Sequence, residues 1–339
     1  MMEKRFIFFL LLCACSWTPQ KQHNDMEEVI LENGKTKVRL LPAKGGRLDQ
    51  LHYGEIPLLA GAEMDIDLSG AVWWPSPQSM WQWPPPEAID KGAYEVIEQE
   101  ESQLVVQSAV SAPLGLRVRK TYELQTEEHL RIQYQAYNAS QETLAFGHWE
   151  VSRHPKGGRL LSAVGEAFET SLEVKRKQSL YHKQSTENTL YEKTEGVYDF
   201  KIASTDLKLP GRTENKLFLD GKGWVAYYDR HVLLVKVIQD QSKEKIAPEQ
   251  AEIEVYVSPI LPMVEVEVHG NYQAVKPGNT TDFQVDWYWE ILPAQEQRST
   301  KELLPEINKI LNKHEKIYKM DMGEYTLDGS TGLSANTFP

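Results

Sequence analysis

The 339-residue chain has two cysteines, Cys13 and Cys15, both within its first fifteen residues. Everything after Cys15 therefore has no disulfide, thiolate metal site or cysteine nucleophile, and must hold together by burial, which a chain this long can do. Positive charge is also scarce: 37 lysines and arginines stand against 49 aspartates and glutamates, a formal net charge of -12. Such a surface has no electrostatic footprint for phosphate backbones, so no nucleic acid partner is expected. Long apolar runs are missing after the N-terminal segment, and no glycine-rich strand-to-helix turn occurs. These absences remove multi-span membrane, dinucleotide-binding and P-loop architectures. Tryptophan is abundant, with nine in all and Trp73, Trp74, Trp81 and Trp83 inside eleven residues.

The opening Met1-Met2-Glu3-Lys4-Arg5 is basic, and Phe6 to Leu12 is an apolar run too short to span a bilayer. Together they read as a secretory signal. The run ends in Leu12-Cys13-Ala14-Cys15, which resembles the bacterial lipobox, with Cys15 as the lipidated residue. The expectation is a signal peptide at 1–14, a polar tether at 15–27 and a domain held at the bacterial cell envelope by lipid alone. Ser16 after Cys15, in place of aspartate, resembles an outer-membrane sorting signal and puts the domain in the periplasm or at the cell surface. The other reading is an ordinary signal peptide with incidental cysteines.

From residue 28 onwards the dominant period is two. Val29–Glu32, Asn33-Gly34 and Lys35–Leu40 read as a hairpin on an Asn-Gly turn. Leu114–Leu124 and Leu130–Tyr137 alternate on either side of a polar turn at 126–129, and further strands are predicted over 94–99, 103–110, 143–152, 215–219, 223–228, 231–239, 252–257, 263–269, 272–276 and 282–291. The fold class is all-β, a large antiparallel β-sandwich forming one domain over 28–320. One helix closes it, with Ser299 and Glu302 as a capping box and Leu303, Leu304, Ile307, Ile310, Leu311 and Ile317 on one face. Pro305 leaves its first turn open, since the helix starts either before that proline or at it. Residues 321–339 have no periodicity and read as a flexible tail.

Three segments have the residues for chemistry. The prolines in Trp73-Trp74-Pro75-Ser76-Pro77-Gln78-Ser79-Met80-Trp81-Gln82-Trp83-Pro84-Pro85-Pro86 exclude it from a central strand, so it is expected to be a loop. Its rings either stack on sugar faces, with Gln and Ser binding hydroxyls, or fold down as a lid on the core, and both can hold for different tryptophans. In Phe146-Gly147-His148-Trp149-Glu150-Val151-Ser152-Arg153, a strand puts His148, Glu150 and Ser152 on one face and Gly147, Trp149 and Val151 on the other. His148 is then a satisfied structural histidine or a proton donor tuned by its neighbours. In Met263–Gly270, alternation puts Glu265, Glu267 and His269 on one face and Val264, Val266 and Val268 in the core. That acidic face is either solvated, or lines a cleft where burial raises a carboxylate pKa.

The order of these segments resembles the aldose 1-epimerase (galactose mutarotase) family over about residues 28–293. The resemblance is carried by Gly45-Gly46-Arg47-Leu48, Gly70-Ala71-Val72-Trp73-Trp74-Pro75, Asn138-Ala139-Ser140-Gln141 leading to Phe146-Gly147-His148-Trp149, Val264-Glu265-Val266-Glu267, and Val275-Lys276-Pro277-Gly278 before the last strand. The Trp-Pro-x-Pro-Gln and Trp-x-Trp-Pro-Pro elements are similar to one branch of that superfamily, DUF4380. The resemblance implies a mutarotase-like sandwich that binds carbohydrate and interconverts sugar anomers. Glu267 would take the anomeric hydroxyl proton and His148 would protonate the ring oxygen. Arg47, Trp74, Gln78, Trp81, Arg153 and Glu265 would hold the sugar. The register leaves Glu267 and Glu265 exchangeable in the catalytic role. No cofactor is implied, and His148, His154, Glu265 and His269 have no local metal-ligand spacing. The usual Asn-Arg and His-x-Tyr-Phe elements of that family are absent, His148 being followed by Trp149-Glu150. A non-catalytic sugar-binding lipoprotein on the same fold is the alternative.

Overall fold

A computed structural model describes residues 28–61, 68–165, 171–176, 179–184, 191–202, 214–258, 261–295 and 298–321, with backbone alone for 171–184, 191, 214–215 and 318–321. The signal segment, Cys15, the tether and residues 322–339 lie outside the described residues.

Strands β1 (Val29–Asn33) and β2 (Thr36–Leu41) form the first hairpin. Its turn is Gly34-Lys35 instead of Asn33-Gly34, because pairing continues to Asn33↔Thr36 and Gly34 supplies the left-handed φ of +57°. There follow β3 (Arg47–Tyr53), β4 (Ile56–Pro57), β5 (Ala71–Ser76), one helical turn α1 (Glu87–Asp90), β6 (Tyr94–Gln99), β7 (Gln103–Ser108), β8 (Leu116–Thr126), β9 (His129–Asn138) and β10 (Leu144–Pro155). The pattern of alternation missed β3, β4 and β5, and also β11 (Arg159–Ala163), β12 (Ser171–Arg176), β13 (Ser179–Gln184), β14 (Tyr191–Thr194) and β15 (Val197–Lys201). It anticipated β16 (Glu214–Leu219), β17 (Trp224–Asp229), β18 (Val232–Val237), β19 (Ile253–Val257), β20 (Met263–His269), β21 (Gln273–Val275), β22 (Thr280–Ile291) and the helix α2 (Thr300–Asp321).

Among the described residues the strands make two antiparallel sheets. One runs β1-β2-β3-β5-β10-β20-β19-β16-β12-β13 with β4 and β21 at its margins, and the other runs β14-β15-β11-β17-β18-β22-β9-β8-β7-β6. The apolar core lies between them, where Val38, Leu48, Val264, Val266 and Val268 of the first sheet meet Val118, Tyr122, Ile132, Val285 and Trp287 of the second. Helix α2 packs Leu303, Ile307 and Ile310 on the far side of the second sheet, against Leu161, Val235 and Tyr288. It begins at Thr300, ahead of Pro305, because Glu302 Oε2 accepts from both the backbone N–H (2.8 Å) and the hydroxyl (2.7 Å) of Ser299. Burial of Leu303 in the first turn outweighs the one hydrogen bond that Pro305 removes.

The prolines do not keep Trp73–Ser76 out of the sheet. All four residues belong to β5, between β3 and β10. Pro75 is tolerated because β3 reaches β5 only at Leu48↔Ala71, so at Pro75 the strand has one strand neighbour, β10. The chain leaves the sheet only after Ser76, through the short turn Gln78–Met80.

Candidate functional site

The register across β5, β10, β20, β19 and β16 fixes which side chains share the outward face of the first sheet. Trp74↔Trp149↔His269 make one row, and Val72↔Val151↔Glu267↔Glu254↔Phe218 make the next. A third row holds Arg153↔Glu265↔Tyr256↔Lys216. The aromatic side of this face is continuous. Trp149 meets Trp74 edge-on at 5.2 Å between ring centroids and Trp81 at 6.3 Å, and stacks on His269 at 5.3 Å. Trp83 stands edge-on to Trp74 at 6.0 Å. Two of these rings are fixed by hydrogen bonds from their indoles, Trp74 Nε1 of β5 to Asp90 Oδ1 and Trp81 Nε1 of the following loop to the Pro75 carbonyl, each at 2.8 Å.

Beside this wall lies a charged cluster. Trp149 Nε1 donates to Glu267 Oε2 at 2.7 Å, and the Lys216 ammonium lies 3.0 Å from the same oxygen and 2.6 Å from Glu254 Oε2. Lys216 Nζ also stands 4.7 Å from the centre of the Trp149 ring, a cation–π contact. His269 Nε2 is 3.2 Å from Glu254 Oε1. Glu254, Glu267 and His269 are at most 1% exposed, whereas the Lys216 side chain is 19% exposed and opens the cluster to solvent.

Environment separates the two carboxyls. Burial, reinforced by the charges of Glu254 and Glu265, pushes Glu267 up to about 8 in spite of Lys216. Burial works in the same direction on Glu254, but Lys216 and His269 outweigh it and hold Glu254 below the usual carboxylate range. Paired with both carboxyls, Lys216 is held above its ordinary value although burial opposes this. One site thus contains a carboxyl that keeps its proton near neutrality and another that does not. The three groups Glu254, Glu267 and His269 also lie close enough to share a metal ion, but the Lys216 ammonium already stands between the two carboxyl groups, as the counter-charge of Glu254.

The residues expected at the site divide between two places. Glu267, Trp74 and Trp81 come together, and the register separates the two glutamates: Glu265 pairs with Arg153 at 2.9 Å, while Glu267 sits in the aromatic cluster. Arg153 is 2% exposed and engaged by Glu265 and the Ser69 carbonyl, so it braces the floor of the face. Gln78 is half-buried in the turn after β5, its carbonyl accepting from the N–H groups of Trp81 and Gln82. Arg47 lies buried, with its charge acting on Lys120 and Tyr122.

His148 does not meet Glu267, and this corrects the expected catalytic pair. Side chains alternate along β10, so His148 passes through the sheet to the core face, while Trp149 and Val151 take the outward one. There it accepts from Trp73 Nε1 at 3.2 Å, faces Thr281 Oγ1 at 3.4 Å and packs against Phe283. Burial lowers its pKa to about 3, so it is neutral. With Nδ1 accepting from Trp73, the ring proton is on Nε2, towards Thr281.

Residues 51–291 match the family described as Domain of unknown function (DUF4380). The chain belongs to that family. No curated protein matches it in sequence. Its fold is found in solved structures. The GalM/aldose epimerase homologue from C. elegans matches with a TM-score of 0.55 and 12% identity, covering 78% of this chain and 99% of that one. The galactose mutarotase related enzyme from Lactobacillus acidophilus matches with a TM-score of 0.54 and 10% identity, covering 80% and 100%. A galactose mutarotase-like protein from Clostridium acetobutylicum matches with a TM-score of 0.51 and 12% identity, covering 78% and 95%. At such identity the likeness is one of fold, and it makes this DUF4380 domain a galactose mutarotase-like sandwich.

Lys216 and Glu254, on β16 and β19, were missed as site residues of the DUF4380 domain. The signal for Glu254 was legible: Glu252-Ile253-Glu254-Val255 alternates as Glu265-Val266-Glu267-Val268 does, which marks a second strand with an acidic face. Lys216 had no such signal, because only the sheet order brings β16 beside β19.

Proposed function

We propose that this domain binds carbohydrate on the tryptophan face of its first sheet and interconverts sugar anomers there by acid–base ring opening. Trp149 carries the reading: its ring belongs to the aromatic wall and its Nε1 donates to Glu267, so wall and carboxyl form one site. Aromatic faces beside a few convergent polar groups suit a pyranose ring. Ring opening needs one group to take the anomeric hydroxyl proton and another to protonate the ring oxygen, and groups whose environments divide their protonation supply this. Glu267 is the proton carrier. The second group comes from the same face, where His269 and Glu254 adjoin it, and His148 has no part in it.

The test is anomer exchange followed by NMR on free reducing sugars. Wild type should exceed the spontaneous rate, and Glu267→Gln should lose roughly a hundredfold or more, the usual weight of general acid–base catalysis. A wild type no faster than buffer would sink the catalytic reading. Binding without turnover is the second reading, favoured by the near-complete burial of Glu254, Glu267 and His269, which a sugar reaches only if Lys216 or Trp149 turns aside.

We also read Leu12-Cys13-Ala14-Cys15 as the anchor of an envelope lipoprotein, at the outer membrane in preference to the inner. A Cys15→Ala variant should lose its lipid mass and leave the membrane fraction. Retention there without lipid would refute the anchor.

A further inference from the structure

Resting on the carbohydrate reading, we propose that the Trp81-Gln82-Trp83 turn is a platform for a second sugar unit, so that the ligand is an oligosaccharide or chain end instead of a free monosaccharide. The aromatic wall does not stop at the charged cluster. From Trp149, which touches Glu267, it passes to Trp74 and Trp81 and then to Trp83, with centroid steps of 5.2 Å (Trp149–Trp74), 6.0 Å (Trp74–Trp83) and 6.5 Å (Trp81–Trp83). Exposure rises along this path. Trp149 is 3% exposed and Trp74 4%, Trp81 is half-buried, and Trp83 is 66% exposed.

Among the described residues Trp83 is the one aromatic ring left so open, the other exposed large apolar side chains being Ile30, Ile97 and Val110. Those three are scattered singly and need no explanation, whereas Trp83 continues an aromatic surface. The backbone is held to present it. Gln82, between the two rings, has a φ of +58°, a left-handed conformation that costs a non-glycine residue of this kind free energy. The turn is closed by the Trp81 and Gln82 N–H groups donating to the Gln78 carbonyl. A monosaccharide engaged at Glu267 would fill the buried part of the wall and leave Trp83 unused, and a second unit would lie over it.

The experiment measures affinity by calorimetry and tryptophan fluorescence for glucose, galactose and mannose and their di-, tri- and tetrasaccharides, with wild type and Trp83→Ala. Covering the open ring face should tighten binding about tenfold from one unit to two or more. Trp83→Ala should erase that gain, so that two or more units bind no tighter than one. Equal affinity for one and several units, unchanged by Trp83→Ala, would overturn the platform and leave the sugar site standing. Failure of every saccharide to bind would overturn both. Circular dichroism of the variant checks its fold, which an exposed side chain should not disturb.

Discussion

Strand β10 shows the same backbone serving two unlike environments. On its core face, Glu150 receives hydrogen bonds from Tyr134 at 2.7 Å and Trp287 at 3.1 Å and an ion pair from Lys236 at 3.0 Å, while Ser152 and His154 bond each other at 2.9 Å. On its outward face, Trp149 and Arg153 meet Glu267 and Glu265. Both faces are buried and rich in ionisable groups, so burial alone does not mark the site. They differ in continuity. The inner network is enclosed by the core, whereas the outer one has a partly exposed lysine and a tryptophan wall that reaches solvent. A perturbed group is a functional candidate only where a ligand can reach it.

The largest effect expected is on the inner face. Glu150→Ala leaves Lys236 buried without its counter-charge and should cost about 3–5 kcal/mol in denaturant unfolding. If that variant does not fold, the pair Glu150→Gln with Lys236→Met should recover much of the loss. An outer-face function survives either change in the folded fraction. His148→Ala comes next, at about 2–4 kcal/mol, through a cavity in the core and an orphaned Trp73 indole. Anomer exchange per folded molecule should be unchanged, and a loss there would return His148 to the catalytic role.

On the outward face, Trp149→Phe keeps a ring but removes the donor to Glu267. It should cost about 1–2 kcal/mol and weaken sugar binding, whereas a neutral result in both would separate wall from carboxyl.

His148 and Glu267 should also respond to pH with opposite sign. His148 has a folded pKa of about 3 against 6.5, so its unfolded form binds more protons and stability falls as pH drops through that window. Glu267 has a folded pKa of about 8 against 4.5, so its folded form binds more protons and stability falls as pH rises through that window. Each slope approaches about 1.4 kcal/mol per pH unit at most. Glu267→Gln should flatten the alkaline side of a stability–pH curve and His148→Phe the acid side. If the two variants flatten the same side, burial is not what shifts these two groups.

Much of this was legible in residue order. Strict alternation in Val264-Glu265-Val266-Glu267-Val268-His269 put both glutamates opposite the core, and the split of His148 from Trp149 followed from the same period. What misled was treating two degenerate motif matches as one site, since neither period says which side of β10 faces the outward side of β20. The proline argument failed at Pro75 for a related reason: a proline excludes a strand only where its N–H is needed, and that depends on how far β3 extends. In β11 the adjacent Leu160 and Leu161 are buried on opposite sides, one in the core between the sheets and one under the helix, so the segment offered no alternation to read.

The sequence by itself determined an all-β antiparallel chain with a capped terminal helix, and an unusual concentration of tryptophan, because alternation, turn residues and caps are local properties. Only the tertiary structure decided that Glu267, Glu254 and Lys216 share one cluster and that His148 does not join it. Cross-strand neighbours come from strand order and register, and those follow from burying the whole set of apolar faces at once.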